Sequence, residues 1–290
     1  MRLNEAFPVD ESWLIPLEPG QAVDAGWPAA SGGRPWAVTW HWTATATRAE
    51  CDRLLGGPRA ERRGAASAHY AVGRSFAEGI SRYVTLENRS WHAGKNQLLR
   101  WDGRAFGGEQ DKGSRTTIGV ETVNVGFARE GFPAGPYWIP AHSADGRQAM
   151  LVEPWTEEQI AMMIAVGREI VERWPQIGPR QHHGHHDLCP TWKTDPAGFP
   201  FARVLRGIYR DPELPDVWTP TWTAAGRRAA LRRLGYASHH VIDEDIWWQA
   251  DDLALRRFQR AEGLPVDGFF TTFVAWRLFD RAPEAWPAAV

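Results

Sequence analysis

The sequence predicts an α/β protein with a smaller all-α module at its C-terminal end. Two observations carry the α/β part. Short aromatic and β-branched runs read as strands, and they are interleaved with segments whose apolar residues recur at helical spacing. The third observation is a change of composition after Tyr209. Residues 211–221 hold three prolines and read as a linker into three short helical segments. The expected units are an arm over 1–34, a main domain over 35–210, a linker over 211–222 and a helical module over 223–290.

Residues 1–34 are rich in Pro, Gly and Ala and lack a period, so they are expected to lie as an arm on the main domain. Trp36-Ala37-Val38-Thr39-Trp40-His41-Trp42 reads as a strand, with His41 at its end. Thr47 and Glu50 form a capping box for a short helix through Leu55, stopped by Gly56-Gly57-Pro58. Residues 67–72 and 80–84 suit two strands joined by a polar turn, and Trp91-His92-Ala93-Gly94 follows in a loop. Residues 96–116 are Gly-rich and charged and look like an inserted loop. Residues 118–124 form the next strand, with Ile118, Val120 and Thr122 on one face and Glu121 on the other. A carboxylate in the middle of an apolar strand is costly unless partnered, which marks Glu121 as a functional candidate.

A second Pro/Gly-rich excursion, 126–154, is expected to hold a hairpin turned at Asp145-Gly146. Thr156-Glu157-Glu158-Gln159 opens a helix over about 157–174, whose stripe is Ile160, Met163, Ile164, Ile170, Val171 and Trp174. Pro175 ends it. Past the linker, residues 227–236, 253–262 and 271–279 each suit a short helix.

An apolar fraction of 43% and a charged fraction of 23% describe an ordinary globular chain. The net charge of −2 offers no bulk attraction to nucleic acid or to an acidic membrane. No run approaches the ~18 apolar residues of a membrane span. Cys51 and Cys189 cannot define a disulfide framework and are expected as free thiols. The N-terminus shows no apolar stretch behind a basic start, so synthesis in the cytoplasm without a signal peptide is expected. The 17 tryptophans suit sugar stacking, but large aromatic cores explain them equally well.

Four of the ten histidines fall within Gln181-His182-His183-Gly184-His185-His186. Lys193 and Asp195 follow, between Pro190 and Pro196. Imidazoles and a carboxylate in a stiff loop are the ingredients of a zinc site, which needs three protein ligands and one open position for catalysis. His185 and Asp195 can converge from this loop, and His41 can supply a third ligand from its strand end. By spacing alone, His182, His183 and His186 compete with His185. Glu121 is the best candidate for taking a proton from a metal-activated water. Lys193 is placed to stabilise the oxyanion formed when hydroxide attacks an amide. It is one of only three lysines in a chain that otherwise uses arginine.

Five motifs occur in order: Thr39-Trp40-His41-Trp42-Thr43-Ala44, Ser67-Ala68-His69, Trp91-His92-Ala93-Gly94, Ile118-Gly119-Val120-Glu121, and Gly184-His185-His186-Asp187-Leu188-Cys189-Pro190-Thr191-Trp192-Lys193-Thr194-Asp195-Pro196. Together, over residues 35–203, they resemble the zinc-dependent N-acetylmuramoyl-L-alanine amidases (type 2 amidases, related to the peptidoglycan recognition proteins). The resemblance implies a mixed central β-sheet flanked by helices, and zinc held by His41, His185 and Asp195. It puts Glu121 and Lys193 in the catalytic roles argued above and makes His182, His183 and His186 neighbours. His69 becomes structural or supporting, and Trp91 and His92 line the substrate cleft or serve a purely structural role. Peptidoglycan is the implied partner, with a monomer expected. Three features depart from the family's pattern: Cys189, the pair Thr191-Trp192, and the two insertions. Cys189 as a fourth ligand would close the site.

The C-terminal segments Arg227-Arg228-Ala229-Ala230-Leu231-Arg232-Arg233-Leu234-Gly235-Tyr236 and Phe258-Gln259-Arg260-Ala261-Glu262-Gly263-Leu264-Pro265-Val266-Asp267-Gly268 resemble the three-helix peptidoglycan-binding domain. Residues 237–250 depart from its usual turn. A wall-cutting enzyme made without a signal peptide would be a phage or prophage endolysin released by a holin. The alternatives are a cytosolic amidase recycling anhydro-muropeptides, or a recognition protein that cuts nothing.

Overall fold

A computed structural model of the chain describes residues 3–61, 65–94, 112–236 and 246–283. The N-terminal segment carries α1 (Leu3–Ala6), β1 (Val9–Asp10) and β2 (Val23–Asp24). There follow β3 (Ala37–Trp42), α2 (Arg48–Leu55), β4 (Tyr70–Val72), β5 (Ile80–Arg82), β6 (Arg89–Ser90), α3 (Lys112–Thr116) and β7 (Thr117–Thr122). A hairpin, β8 (Ile139–His142) and β9 (Ala149–Val152), precedes the long helix α4 (Glu157–Arg173). Then come β10 (His182–Gly184), α5 (His185–Leu188) and α6 (Phe201–Tyr209), and last α7 (Ala224–Arg233), α8 (Gln249–Ala261) and α9 (Thr272–Arg281).

The central sheet has the order β1-β5-β4-β7-β3-β10. Every neighbouring pair is parallel except β4 with β5, so the sheet is mixed, as expected. The arm over 1–34 does more than lie on the surface. It supplies β1 to the sheet edge and pairs β2 with β6. No period announces these strands, because two residues are too few to show one. The His-rich segment, expected as a loop, contains β10, which exists through its pairing with β3.

Period-two alternation divides the sheet's two faces. Val38, Trp40, Ile118 and Val120 point to one side and form a core with Met162, Met163, Val166 and Ile170 of α4. His41 and Glu121 point to the other. They are direct cross-strand partners in the β3–β7 register, which brings two residues eighty positions apart side by side. Both expected caps are present: Thr47 accepts from the Glu50 amide and Thr156 from the Gln159 amide. The hairpin at 126–154 turns through Gly146 at φ +75°, a left-handed conformation suited to glycine. Residues 95–111, the larger part of the first insertion, lie outside the described residues, as do 237–245 in the C-terminal region.

The Pro-rich segment 211–222 is packed. Val217 and Trp218 are buried, and Trp218 stacks on Phe201 of α6 with ring centroids 5.1 Å apart. Apolar residues set between the prolines found partners, so one apolar core runs from the sheet into α7, α8 and α9. Arg227 of α7 is buried and joins this module to the hairpin. Its guanidinium donates to the carbonyls of Thr221, Ser143 and His142 at 2.8, 2.7 and 3.2 Å. Gln259 of α8 accepts from the amides of Asp267 and Gly268 and donates to the Asp267 carboxylate and the Phe269 carbonyl, closing the turn after α8. That bonding accounts for the Phe-Gln-x-x-x-Gly-Leu-x-x-Asp-Gly pattern. Most of the described tryptophans serve the core; Trp91, Trp192 and Trp248 keep exposed faces.

Candidate metal centre

Strand pairing delivers the three candidate ligands to one point. β10 runs parallel to β3 with Gly184 opposite Trp40, so the next residue, His185, emerges beside His41. The loop then returns, because the His186 amide donates to the Asp195 carbonyl at 2.8 Å. His41 Nδ1 and His185 Nδ1 are 3.0 Å apart, and Asp195 Oδ2 is 3.2 and 3.1 Å from them. These three buried residues are the group that could hold a metal ion among the described residues.

Hydrogen bonding behind the ring decides what belongs at its centre. His185 Nε2 lies 3.1 Å from the Ala93 carbonyl, which can only accept, so Nε2 carries a proton and it is Nδ1 that a neutral ring turns inward as a lone pair. The same holds for His41, one residue further back. His92 Nε2 faces the Thr117 carbonyl at 3.0 Å and must donate, which leaves His92 Nδ1 to accept from His41 Nε2 at 2.9 Å. His41 Nδ1 is therefore also a lone pair. Burial, reinforced by His185, holds the His41 imidazole neutral by lowering its pKa to about 3. Burial alone would raise the Asp195 carboxyl, but His185, His41 and Lys193 outweigh it and hold its pKa well below the usual range. With both rings neutral, three electron pairs converge there, an arrangement that suits a cation. Two imidazoles and a carboxylate suit zinc, whose ligands sit ~2.0–2.2 Å from the ion and hence about 3.3 Å from each other.

Glu121 sits beside this ring with Oε1 4.0 Å from His41 Nδ1, and its buried Oε2 has no hydrogen-bond partner among the described residues. Burial, with Asp195 adding to it, pushes its carboxyl well above the ordinary carboxylate range; Lys193 works against both. Lys193 brings its ammonium to 4.0 Å from Asp195 Oδ1 and 4.7 Å from the centroid of the exposed Trp192 ring.

The other sequence-derived candidates separate cleanly. His182 is bridged by the Trp40 indole and the Tyr209 hydroxyl, and His183 Nε2 bonds the Thr39 hydroxyl at 2.9 Å. His186 Nδ1 lies 3.1 Å from the Asp195 carbonyl. His69 accepts from the Gly119 amide and donates to the Asn88 carbonyl. Cys189 is buried with Sγ 3.6 Å from the Ala93 carbonyl, outside the ring of ligand atoms. Trp91 keeps 43% of its surface exposed. His92 does not line a cleft wall: it is buried behind His41 with both nitrogens engaged. Gly119 makes room for it, since a Cβ there would lie 2.3 Å from the His92 ring. Nothing in the sequence spacing announces that supporting position.

The buried neutral histidines set an acid limit. Burial lowers His69 to about 4 and His182 to about 3, against an ordinary value near 6.5. Below pH 6.5 the unfolded chain takes up protons that the folded chain refuses, so stability falls with falling pH until the folded values are reached. At pH 5 each residue is expected to cost about 2 kcal/mol relative to pH 7. Urea midpoints of metal-free protein at the two pH values check this, and equal midpoints would rule it out.

The model of a family described as N-acetylmuramoyl-L-alanine amidase matches residues 31–198, more than half of the chain. Among solved structures the chain is similar to the E. coli amidase AmiD, in complex with anhydro-N-acetylmuramic acid-L-Ala-D-gamma-Glu-L-Lys, at 20% identity. That match covers 89% of this chain and 91% of that one, with a TM-score of 0.48. AmpDh3 from Pseudomonas aeruginosa is similar at 19% identity, over 86% of this chain and 93% of its own, with a TM-score of 0.46. The catalytic domain of PlyG is similar at 14% identity, over 69% and 93%, with a TM-score of 0.39. None of the curated proteins matches the chain in sequence.

Proposed function

The chain belongs to the N-acetylmuramoyl-L-alanine amidase family, and from that premise we propose a zinc-dependent hydrolase that cuts between N-acetylmuramic acid and L-Ala in peptidoglycan, in the manner of a phage or prophage endolysin. The observation that carries the zinc reading is the ring of three converging ligand atoms, His41 Nδ1, His185 Nδ1 and Asp195 Oδ2, beside Glu121 Oε2, which has no partner among the described residues.

Zinc held there would supply a Lewis acid for the scissile carbonyl and lower the pKa of an attacking water. The chain's own residues do the rest. The Glu121 carboxylate takes the proton of the attacking water and returns it to the leaving amine of L-Ala. The Lys193 ammonium donates toward the carbonyl oxygen as negative charge builds on it. His92 and the Ala93 carbonyl hold the two imidazoles in the tautomer that turns Nδ1 inward.

The endolysin reading rests on the C-terminal helices, whose Gln259-closed turn resembles wall-binding modules; such a module concentrates an enzyme on an insoluble polymer. Release to the wall would then need a holin-type route. The competing reading is recycling of soluble anhydro-muropeptides. Purified protein is expected to release intact stem peptides with a free L-Ala amine from murein sacculi, to lose this with chelator and to regain it with zinc. Activity on soluble anhydro-muropeptide with sacculi left intact would favour recycling. Muropeptide binding without cleavage would leave only a recognition protein.

A further inference from the structure

We propose that the C-terminal helical module braces the metal-binding turn through a single carboxylate, Asp187, held between the Gly184 amide and the first amide of α9. The proposal rests on the zinc reading for its consequence, though not for the contact itself.

Asp187 lies two residues beyond His185 and is buried. Its Oδ2 accepts from the Gly184 N–H at 2.7 Å, the residue immediately before His185. Its Oδ1 accepts from the Thr272 N–H at 2.7 Å, across 85 positions of sequence. Thr272 is the first residue of α9, and the Thr271 hydroxyl takes the Val274 amide. A helix leaves its first amides without internal partners and carries partial positive charge at that end. Here a carboxylate from the candidate zinc loop meets one of them. The carboxylate that satisfies α9 with one oxygen therefore holds, with the other, the backbone from which His185 projects. Further contacts hold the module in place around it. The Trp218 indole donates to the Thr272 hydroxyl at 3.2 Å, the Phe270 amide donates to the Ala144 carbonyl at 2.7 Å, and Arg180 forms a two-pronged pair with Asp280. A wall-binding module on a slack tether has no need of any of these. Asp187 is a positioning residue, acting through Gly184 and His185.

The full-length chain offers a selective test. Thr272→Pro removes the donor amide at a position where proline is well tolerated in a helix. Thr271, at φ −98° and ψ 164°, already has the conformation required before a proline. Thr272→Ala keeps the amide and loses only the hydroxyl. Two readouts are taken: amide hydrogen exchange over residues 182–189 in metal-free protein, and zinc affinity by competition with a chelator. Thr272→Pro is expected to raise exchange over 182–189 and to weaken zinc about tenfold, the range seen when a supporting partner of a ligand is lost. Thr272→Ala is expected to change neither. Asp187→Ala should reproduce both effects and also raise exchange at the start of α9, and Thr272→Pro should add little to it. Should Thr272→Pro fail to fold, Asp187→Ala decides, and unchanged exchange at the start of α9 would overturn the brace. Equal exchange and equal zinc affinity in Thr272→Pro and Thr272→Ala would overturn it too. Wild-type protein that takes up no zinc would instead sink the metal reading, while the exchange data still judge the contact.

Discussion

Replacing Asp195 with Ala is expected to abolish amidase activity and to weaken zinc binding by more than the ~10–100-fold that loss of a supporting residue costs. The ring contains one formal negative charge, and Asp195 Oδ2 supplies it at 3.1–3.2 Å from both imidazole nitrogens. Without it, two neutral donors face a dication. The backbone bond from the His186 N–H to the Asp195 carbonyl survives the substitution, so the loop keeps that tie. Zinc at a thousand times its Kd stabilises a folded chain by about 4 kcal/mol. The wild type is expected to show that increment in a zinc titration of its thermal midpoint, and Asp195→Ala to lose it. In chelator the variant is expected to melt somewhat lower than wild type, because it loses a carboxylate whose ionised form the fold stabilises. An active Asp195→Ala enzyme with normal zinc content would remove Asp195 from the ligand set.

What could be read from the chain was the local part. The capping box at Thr47 and the N-cap at Thr156 lie within four residues, and the stripe of α4 repeats within one helix, so both are written in short windows. The third dimension of the site is not local. His41 and Glu121 stand opposite each other because β3 and β7 pair in one register, and a slip of one residue would turn Glu121 to the α4 side. His41, His185, Asp195, Glu121 and Lys193 lie together in the structure, a convergence that motif order suggested and spacing left open. Which of its two expected roles His92 plays is not legible in the sequence, for a physical reason. Its burial depends on the missing side chain of Gly119 on another strand, and no window around residue 92 contains that information. The linker was different, because its signal was present. Val217 and Trp218, apolar residues between prolines, already argued for packing. So did Phe201, Val204, Leu205 and Ile208, which recur at helical spacing and form the buried face of α6.

Glu121→Gln is expected to lower kcat by about 10²–10⁴, the range of a lost general acid–base, which is about 3–5 kcal/mol in the barrier. Gln keeps the shape of Glu and removes only the capacity to accept and return a proton. Zinc content and KM should therefore stay within a few-fold of wild type, which separates this variant from Asp195→Ala. The pH profile carries a second signature. Burial holds the Glu121 carboxyl above its ordinary range, and the base must be ionised to act. The wild-type rate is then expected to rise with pH through an acid limb set by Glu121, and Glu121→Gln to lose that limb. Stability should move the opposite way. A carboxyl whose folded pKa lies above its unfolded value binds its proton more tightly when folded, so its contribution to stability is full at low pH and is lost as pH rises through the folded value. At neutral pH the buried Glu121, with Oε2 unpartnered, is a cost to the metal-free fold. Glu121→Gln removes the ionisation, so the metal-free variant is expected to unfold at a higher temperature than metal-free wild type at pH 7. A slower yet more stable enzyme is what a residue kept for proton transfer predicts. A variant that lost activity and stability together would show that Glu121 serves the fold instead.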